Sequence, residues 1–319
     1  MRILVTGGAG FIGSHLVDAL LAQDDEVLAL DNLSSGNRGN LSGAIEAGAE
    51  LVVGDIRDAV FMHEQYAGFR PDAVVHLAAQ VDVRRAVIDP ALDAEINVVG
   101  TVSVLEAARQ AGGVPVVFAS TGGVIYGEGS GRALPFAEDA ELRPETAYGA
   151  SKLSGEVYMG LYRRLYGQPG VALRFGNVYG PRQDPHGEAG VVAIFCGRLL
   201  AGEAPRIFGD GEQTRDYVYV ADVVAAVLAA IPKLAGGSAL AGPYNIGTGV
   251  ETSVLELARD LGRISGKALS PEHAPPRTGE ISRVSIDPTA AERELGWRAR
   301  REVSEGLAET YRSIGAGEG

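Results

Sequence analysis

The stretch TGGAGFIGSHL, residues 6–16, joins a short apolar run to a segment with helical periodicity. Gly7, Gly10 and Gly13 have the spacing G-x-x-G-x-x-G, and a start at Gly8 gives G-x-G-x-x-G. Glycines here allow a tight turn, close approach of a pyrophosphate to backbone N–H groups, and close packing of helix on strand. The stretch therefore predicts the first strand, turn and helix of a dinucleotide-binding fold.

The N-terminal half continues this alternation of strand and helix. Helical patterns separate apolar runs that predict buried strands at 2–6, 26–30, 51–54, 73–79, 114–120 and 171–175. Because parallel strands need helix-sized connections, we expect an α/β fold with a doubly wound, Rossmann-type parallel sheet. We place this domain at 1–175 and a smaller α/β substrate lobe at 176–319, with segments around 216–250 returning to the first domain.

Composition excludes several classes of protein. The formal net charge of −13 over 319 residues argues against a nucleic-acid partner. The single cysteine, Cys196, excludes an intramolecular disulfide and a cysteine-ligated zinc site, and we expect it to be a buried hydrophobe. The chain begins directly on a strand-like run, without the pattern of a signal peptide or a membrane helix. We therefore expect a cytoplasmic protein with no membrane partner and no metal.

An acidic residue after the second strand selects the cofactor. Asp31 lies 18 residues beyond Gly13, near the spacing of a residue that accepts hydrogen bonds from the adenosine ribose and repels a 2′-phosphate. We therefore expect NAD rather than NADP; the alternative is a plain turn aspartate. Asp55, after the third strand, could hold the adenine amino group or cap the next helix. Further cofactor contacts are predicted at Phe11, Ile12, Asn32, Ile56, Leu77, Ala78, Ala79 and Asn97.

The segment YGASK sets Tyr148 one helical turn ahead of Lys152. A lysine cation beside a phenol favours the phenolate, which can take a proton from a sugar or alcohol hydroxyl. The segment STGGVIYGE at 120–128 follows the fifth strand, where ligands of such sheets bind. We therefore interpret Tyr148 and Lys152 as a catalytic pair that also contacts the cofactor, against the alternative of an ordinary helix surface. His76, in contrast, is expected to be packed rather than catalytic.

Together these segments resemble the extended short-chain dehydrogenase/reductase superfamily, and within it most resemble the UDP-glucose (UDP-galactose) 4-epimerases. The resemblance covers nearly the whole chain through TGGAGFIGSHL, DNLSSG, GDIRD, HLAAQ, YGASK, LRFGNVYGPRQ, IFGDGEQTRDYVYVADV, YNIGTG and RTGE. It implies that Tyr148 removes the proton of the sugar 4-OH while NAD takes the C4 hydride. The keto sugar then turns and accepts the hydride on its other face.

The resemblance also implies a nucleotide-sugar site and a homodimer. Asn177, Arg215 and Arg277 would bind the diphosphate, Glu280 the uridine ribose and Phe208 the uracil. Val284, seven residues after Arg277, stands at the position that faces the sugar. The dimer would form through the helices at about 92–111 and 147–166, although their small and apolar residues also suit packing on the sheet.

The chain departs from the family pattern at one catalytic position. The family usually has serine or threonine five residues before the glycine of its VYG segment, and here that position is Gly122. We assign the role to Thr121, the nearest hydroxyl, with Ser120 behind it; a water or a merely structural Thr121 are the alternatives. The pair Gly122-Gly123 also lacks the acid and base of a 4,6-dehydratase.

Other functions stay open at this point. An epimerase or decarboxylase of another UDP-sugar, such as UDP-glucuronate or a UDP-N-acetylhexosamine, would share most of these segments. Arg84 or Arg85 could hold the carboxylate of a glucuronate. A non-catalytic NAD-binding sensor would use the same sheet without needing the tyrosine and lysine in register.

Overall fold

A computed structural model describes residues 1–185, 190–238, 240, 242–267, 271–276 and 281–317. Its strands are β1 Arg2–Thr6, β2 Glu26–Asp31, β3 Glu50–Val53, β4 Ala73–His76, β5 Val116–Thr121, β6 Gly170–Phe175, β7 Asn177–Tyr179, β8 Arg206–Phe208, β9 Thr214–Arg215, β10 Tyr217–Tyr219, β11 Tyr244–Ile246, β12 Thr252–Ser253 and β13 Glu272–Ala274.

The helices are α1 Phe11–Leu21, α2 Ser42–Glu46, α3 Ala59–Phe69, α4 Val83–Ile88, α5 Pro90–Ala94, α6 Gly100–Gln110, α7 Ala147–Tyr166, α8 Val191–Leu200, α9 Val220–Ala235, α10 Val254–Ser265, α11 Thr289–Leu295 and α12 Val303–Gly315. A 3₁₀ turn at Arg38–Leu41 precedes α2, and a π-helical turn at Glu95–Val99 joins α5 to α6. No helix in the described part of the chain is long and apolar enough to span a bilayer.

Seven strands form one parallel sheet in the order β11-β6-β5-β4-β1-β2-β3. All six strands that the sequence predicts belong to it, so the predicted α/β class is confirmed. The chain builds outward from β1 to β3 and then crosses over to β4 on the other side of β1. This reversal leaves a crevice at the carboxyl ends of β1 and β4, where ligands of open α/β sheets bind.

Both faces of the sheet are covered by apolar side chains. Leu16 of α1 and Val227 of α9 lie in the cluster on one face, whereas Met62 of α3, Leu105 of α6 and Tyr162 of α7 lie in the cluster on the other. Burial on both faces explains why the strands are nearly continuous apolar runs rather than alternating ones.

The C-terminal part contributes to the large sheet as well as to its own core. β11 pairs with β6 at the edge of the sheet, whereas α8, α10 and α12 share a separate apolar cluster. Cys196 lies in that cluster with no exposed surface, as expected of a buried hydrophobe, and burial raises the pKa of its thiol to about 12. The division into two domains at residue 175 stays a prediction.

Candidate active site

The first turn of the fold is closed so tightly that its glycines cannot be replaced without movement. Gly7 has φ +72°, and a Cβ there would lie 2.7 Å from the backbone nitrogen of Ala78. A Cβ on Gly13 would lie 2.0 Å from the carbonyl oxygen of Gly7, and one on Gly8 2.7 Å from the Cβ of Ala29. The glycines therefore let β1, the turn and α1 pack against β2 and the loop after β4.

The N-terminus of α1 opens onto this turn. Gly10 caps the helix and, among the described residues, no side chain accepts a hydrogen bond from its first turn. Phe11 and Ile12 are half-buried there, and so are Leu77, Ala78 and Ala79 across the crevice. Uncapped N–H groups at a helix N-terminus attract a phosphate, so the turn fits the pyrophosphate of a dinucleotide.

Asp31 ends β2 beside the same turn. Its side chain is 7% exposed and accepts hydrogen bonds from the backbone nitrogens of Ala9, at 3.0 Å, and Leu33, at 2.8 Å. Burial raises the pKa of this carboxyl, although the two hydrogen bonds oppose the shift. A Cβ on Gly36 would lie 2.7 Å from its Oδ1, so only a glycine leaves that side of the carboxylate uncovered. Its role toward a ribose hydroxyl of a bound dinucleotide stays a prediction.

Asp55 is held by a different set of contacts from those of a helix cap. Its carboxylate accepts from Arg57, at 2.8 and 2.9 Å, and from Asn32 Nδ2 at 3.2 Å. The hydrogen bonds of Arg57 hold the pKa of Asp55 well below its usual range. Asp58, rather than Asp55, caps α3 through the backbone nitrogens of residues 60 and 61. The capping alternative for Asp55 is therefore wrong, and its role toward adenine stays a prediction.

His76 is packed, as expected. Its ring nitrogens lie 2.7 Å from Thr6 Oγ1 and 3.0 Å from Thr101 Oγ1, and the residue is 1% exposed. Burial, together with the charge of Lys152, lowers the pKa of His76 to about 3. The imidazole is therefore neutral and holds β4 to its neighbours.

The tyrosine and lysine of the predicted catalytic pair lie in the first two turns of α7. Thr146 caps this helix by accepting from the Gly149 nitrogen at 3.0 Å. Lys152 is 3% exposed, donates to the carbonyl oxygen of Ala119 on β5 at 2.9 Å, and lies with its Nζ 5.9 Å from the centre of the Tyr148 ring. The cap sets where α7 begins. The hydrogen bond of Lys152 holds the helix against β5, beside the crevice.

Burial acts on both members of the pair and disfavours the charged form of each. It raises the pKa of Tyr148 well above its ordinary value, and the negative charge of Asp93 adds to the rise. It lowers the pKa of Lys152 to about 8, with the charge of Asp93 opposing the fall. An ammonium with that pKa is still mostly protonated at neutral pH, so the phenol has a cation beside it.

The structure separates the two hydroxyls that follow β5. Ser120 Oγ donates to Glu156 at 2.5 Å and is thereby held on the α7 side of the sheet. Thr121 is 8% exposed, and its Oγ1 accepts from the Gly123 nitrogen at 3.2 Å. A Cβ at position 122 would lie 2.5 Å from Cδ1 of Ile286, so a side chain there requires Ile286 to move. Thr121 is the hydroxyl that could serve a ligand.

Sequence reasoning missed a buried ion pair beneath these residues. Arg174 on β6 donates from Nε and Nη2 to the two carboxylate oxygens of Glu156, at 2.9 and 2.7 Å. Burial alone would lower the pKa of Arg174, but the hydrogen bonds and charge of Glu156 raise it above its ordinary value. Arg174 also donates to Tyr126 Oη at 2.7 Å, so the pair joins α7 to the segment after β5. Glu156 lies one helical turn beyond Lys152, and this spacing is the sequence signal that could have indicated its role.

Asn97 is buried in the π-helical turn. Its side chain accepts from the Gln80 nitrogen at 2.9 Å and donates to the Gln80 oxygen at 2.8 Å and to Ser151 Oγ at 3.3 Å. It therefore ties the loop after β4 to α7. Ile56 fills the space beside Gly100, where a Cβ would lie 2.6 Å from its Cδ1.

The predicted substrate residues are placed in part. Asn177 begins β7, where its nitrogen donates to the Asp216 oxygen at 2.7 Å, and its Oδ1 would lie 3.1 Å from a Cβ on Gly123. Arg215 on β9 precedes Asp216, and Phe208 on β8 is half-buried. Arg277 and Glu280 lie outside the described residues. Val284 is 1% exposed and packs with Ile125 and Phe136, so its side chain lies in a core cluster.

A crevice with an uncapped helix N-terminus, a half-buried tyrosine and a buried lysine defines a Rossmann-type enzyme that acts on a hydroxyl-bearing carbon with a nicotinamide cofactor. Residues 3–247 match the NAD dependent epimerase/dehydratase family, and the chain belongs to that family.

Known relatives cover the chain almost completely. The UDP-glucose 4-epimerase of Mycolicibacterium smegmatis is 49% identical, over 97% of both chains. The structure of a UDP-glucose 4-epimerase from Thermotoga maritima with UDP-glucose matches with a TM-score of 0.92 and 43% identity, over 99% of both chains. That of the Thermus thermophilus UDP-glucose 4-epimerase with NAD has a TM-score of 0.89 and 43% identity, over 98% of this chain and 99% of that one.

Proposed function

We propose that the protein is an NAD-dependent isomerase that interconverts UDP-galactose and UDP-glucose at C4 of the sugar. The observation that carries the proposal is the Tyr148–Lys152 pair at the carboxyl edge of the sheet, in a chain 43–49% identical to UDP-glucose 4-epimerases. The same relatives favour this activity over a decarboxylase or epimerase of another UDP-sugar, and over a non-catalytic sensor.

NAD would be held by the N–H groups at the start of α1 and by Asp31, and when bound it would take a hydride from the sugar and return it. The role of Tyr148 is to accept the proton of the 4-hydroxyl at Oη and to give it back. Lowering the pKa of a phenol from 10 to about 7 takes roughly 4 kcal/mol, and burial of Tyr148 adds to that cost. Lys152 supplies the positive charge that opposes it.

Thr121 would donate a hydrogen bond to the sugar 4-oxygen. This assignment is supported by the hydrogen bond of the neighbouring Ser120 to Glu156, and by the glycine at position 122, which has no hydroxyl. Asn177 lies beside Gly123, on the same side of the crevice, and would bind the diphosphate together with Arg215. Arg277, Glu280 and Phe208 complete the nucleotide site in this proposal.

The first test is to incubate the purified protein with UDP-galactose, without added NAD, and to follow the anomeric protons by NMR. Appearance of UDP-glucose supports the proposal and a retained cofactor. Tyr148→Phe should lower kcat by about 10²-fold to 10⁴-fold, whereas Tyr158→Phe, on the same helix, should leave it near the wild-type value. Near-normal turnover of the Tyr148→Phe variant would refute the assigned role.

We also propose that two copies associate through α6, α7 and the π-helical turn. Support comes from large apolar side chains on this surface, where Val99 is 55%, Val157 59% and Leu165 62% exposed. Val157 lies nine residues after Tyr148 and so on the opposite side of α7. Light scattering should give the mass of a dimer for the wild type and of a monomer for Val157→Glu. Val60→Glu, at a 70% exposed valine on α3, is the matched control.

The cytoplasmic location stays a prediction.

A further inference from the structure

A carboxylate outside the predicted catalytic site lies buried next to it. Asp93 is on α5 and is 1% exposed. Its Oδ1 accepts from Gln80 Nε2 at 3.1 Å and from Asn97 Nδ2 at 3.0 Å. Its Oδ2 is buried and has no hydrogen-bond partner among the described residues. A carboxylate with one unsatisfied oxygen is costly to bury, so it needs a compensating positive charge.

The neighbouring helix α7 carries a buried cation, Lys152. Lys152 is 3% exposed, and no carboxylate of the described residues lies within salt-bridge distance of its Nζ. The amide of Asn97 links the two sites, because it donates both to Asp93 and to Ser151, the residue before Lys152. Two opposite charges, neither with an oppositely charged group within salt-bridge distance among the described residues, thus lie buried on adjacent helices, where little solvent screens their attraction.

The other charged groups on the elements around α5 are engaged elsewhere or exposed. Arg84 on α4 is 56% exposed and lies 3.7 Å from Asp82. Glu95 in the π-helical turn is 63% exposed and lies 3.7 Å from Arg57. Two further groups are the exposed Arg85 on α4 and Asp89, which caps α5.

On α7 the groups that feel Asp93 are Lys152 and Tyr148. The charge of Asp93 raises the pKa of both, against burial for the lysine and together with burial for the tyrosine. The carboxylate therefore keeps a proton on each member of the pair.

We propose that Asp93 is a positioning residue that keeps the buried Lys152 in its ammonium form through its own negative charge. The catalytic interpretation of Lys152 rests on the proposed function, but the electrostatic coupling does not. The charge of Asp93 has two opposing effects on turnover. It preserves the Lys152 cation, which stabilises the Tyr148 phenolate, and it directly disfavours that phenolate.

The chain allows a direct test because it has three lysines, Lys152, Lys233 and Lys267. Protein labelled with ¹³C at lysine Cε, saturated with NAD, should give three resonances that Lys233→Arg and Lys267→Arg assign. The Lys152 resonance should titrate at lower pH in Asp93→Asn than in the wild type. Asparagine keeps the Oδ1 acceptor, removes the charge and places an NH₂ group where Oδ2 stood. An unchanged Lys152 midpoint in a folded Asp93→Asn protein would overturn the proposal.

A second pair of variants guards against misfolding of the first. Asp93→Glu keeps the charge and Asp93→Gln removes it at the same size, so only the glutamine should lower the Lys152 midpoint. Equal midpoints would again refute the coupling. In the pH profile of kcat, both limbs should move to lower pH in Asp93→Asn, whereas a merely structural role would lower the maximum without moving them. The titration needs no substrate, so it distinguishes failure of this inference from failure of the proposed activity.

Discussion

Replacement of Glu156 by glutamine should destabilise the fold strongly, because it leaves a buried guanidinium without its counter-ion. The Arg174 side chain is 3% exposed and that of Glu156 10%. In the wild type both carboxylate oxygens accept from Arg174, and one also accepts from Ser120. Glutamine keeps one acceptor oxygen, but its NH₂ group would face the donor Nη2. The loss is therefore one charge-assisted hydrogen bond and the compensation of a buried charge.

Breaking a buried pair of this kind costs about 3–5 kcal/mol. At about 2.1 cal/mol/K per residue, the unfolding entropy of 319 residues is roughly 0.7 kcal/mol/K. The melting temperature of Glu156→Gln should then fall by roughly 4–7 °C. Removing both charges should cost less than the two single changes together, with a coupling of about 1–3 kcal/mol.

Calorimetry of the wild type, Glu156→Gln, Arg174→Gln and the double variant measures both quantities. Glu141→Gln is the matched control, because Glu141 and Arg143 form an exposed pair with side chains 64% and 59% accessible. No change of melting temperature is expected there. A Glu156→Gln protein with the wild-type melting temperature, or a double variant that loses the sum of the two single losses, would contradict a stabilising charge pair.

Three further predictions concern the crevice. Thr121→Val should lower kcat for UDP-galactose by about 10²-fold with little change in melting temperature; steady-state rates equal to the wild type would transfer the hydrogen bond to another donor. Asp31→Asn should weaken NAD binding by about 10-fold to 10²-fold and reduce the preference of the protein for NAD over NADP. Calorimetric titration of both nucleotides measures the two affinities, and an unchanged preference contradicts the ribose contact. The pKa of His76 is lowered to about 3 against about 6.5 when unfolded, so the unfolded chain binds the additional proton and stability falls as pH drops from 6.5 toward 3. His76→Gln should lose less stability than the wild type between pH 7 and pH 4 in thermal melts, and an equal loss would mean that the imidazole charges within the fold.

Much of the fold could be predicted because it depends on local sequence patterns. The apolar runs of the central strands, the glycine spacing after β1 and the i,i+4 tyrosine and lysine each depend on a few adjacent residues. All three lie in the places that the sequence indicates. The alternative that Asp55 caps α3 was wrong. Asp55 and Asp58 both precede the helix, and Asp55 accepts hydrogen bonds from Arg57 while Asp58 caps the helix.

Period and spacing within single segments were enough to predict the parallel α/β sheet, the dinucleotide turn and the tyrosine and lysine of the proposed catalytic pair. The surroundings of that pair come from distant parts of the chain that meet only on folding. The fold pairs Ser120 with Glu156 and leaves Thr121 at the crevice, and it places Asp93 on a helix that packs against that of Lys152, 59 positions later in the chain. Whether a hydroxyl or a carboxylate is available, paired or buried depends on side chains from distant segments, and no local pattern records which of them will meet.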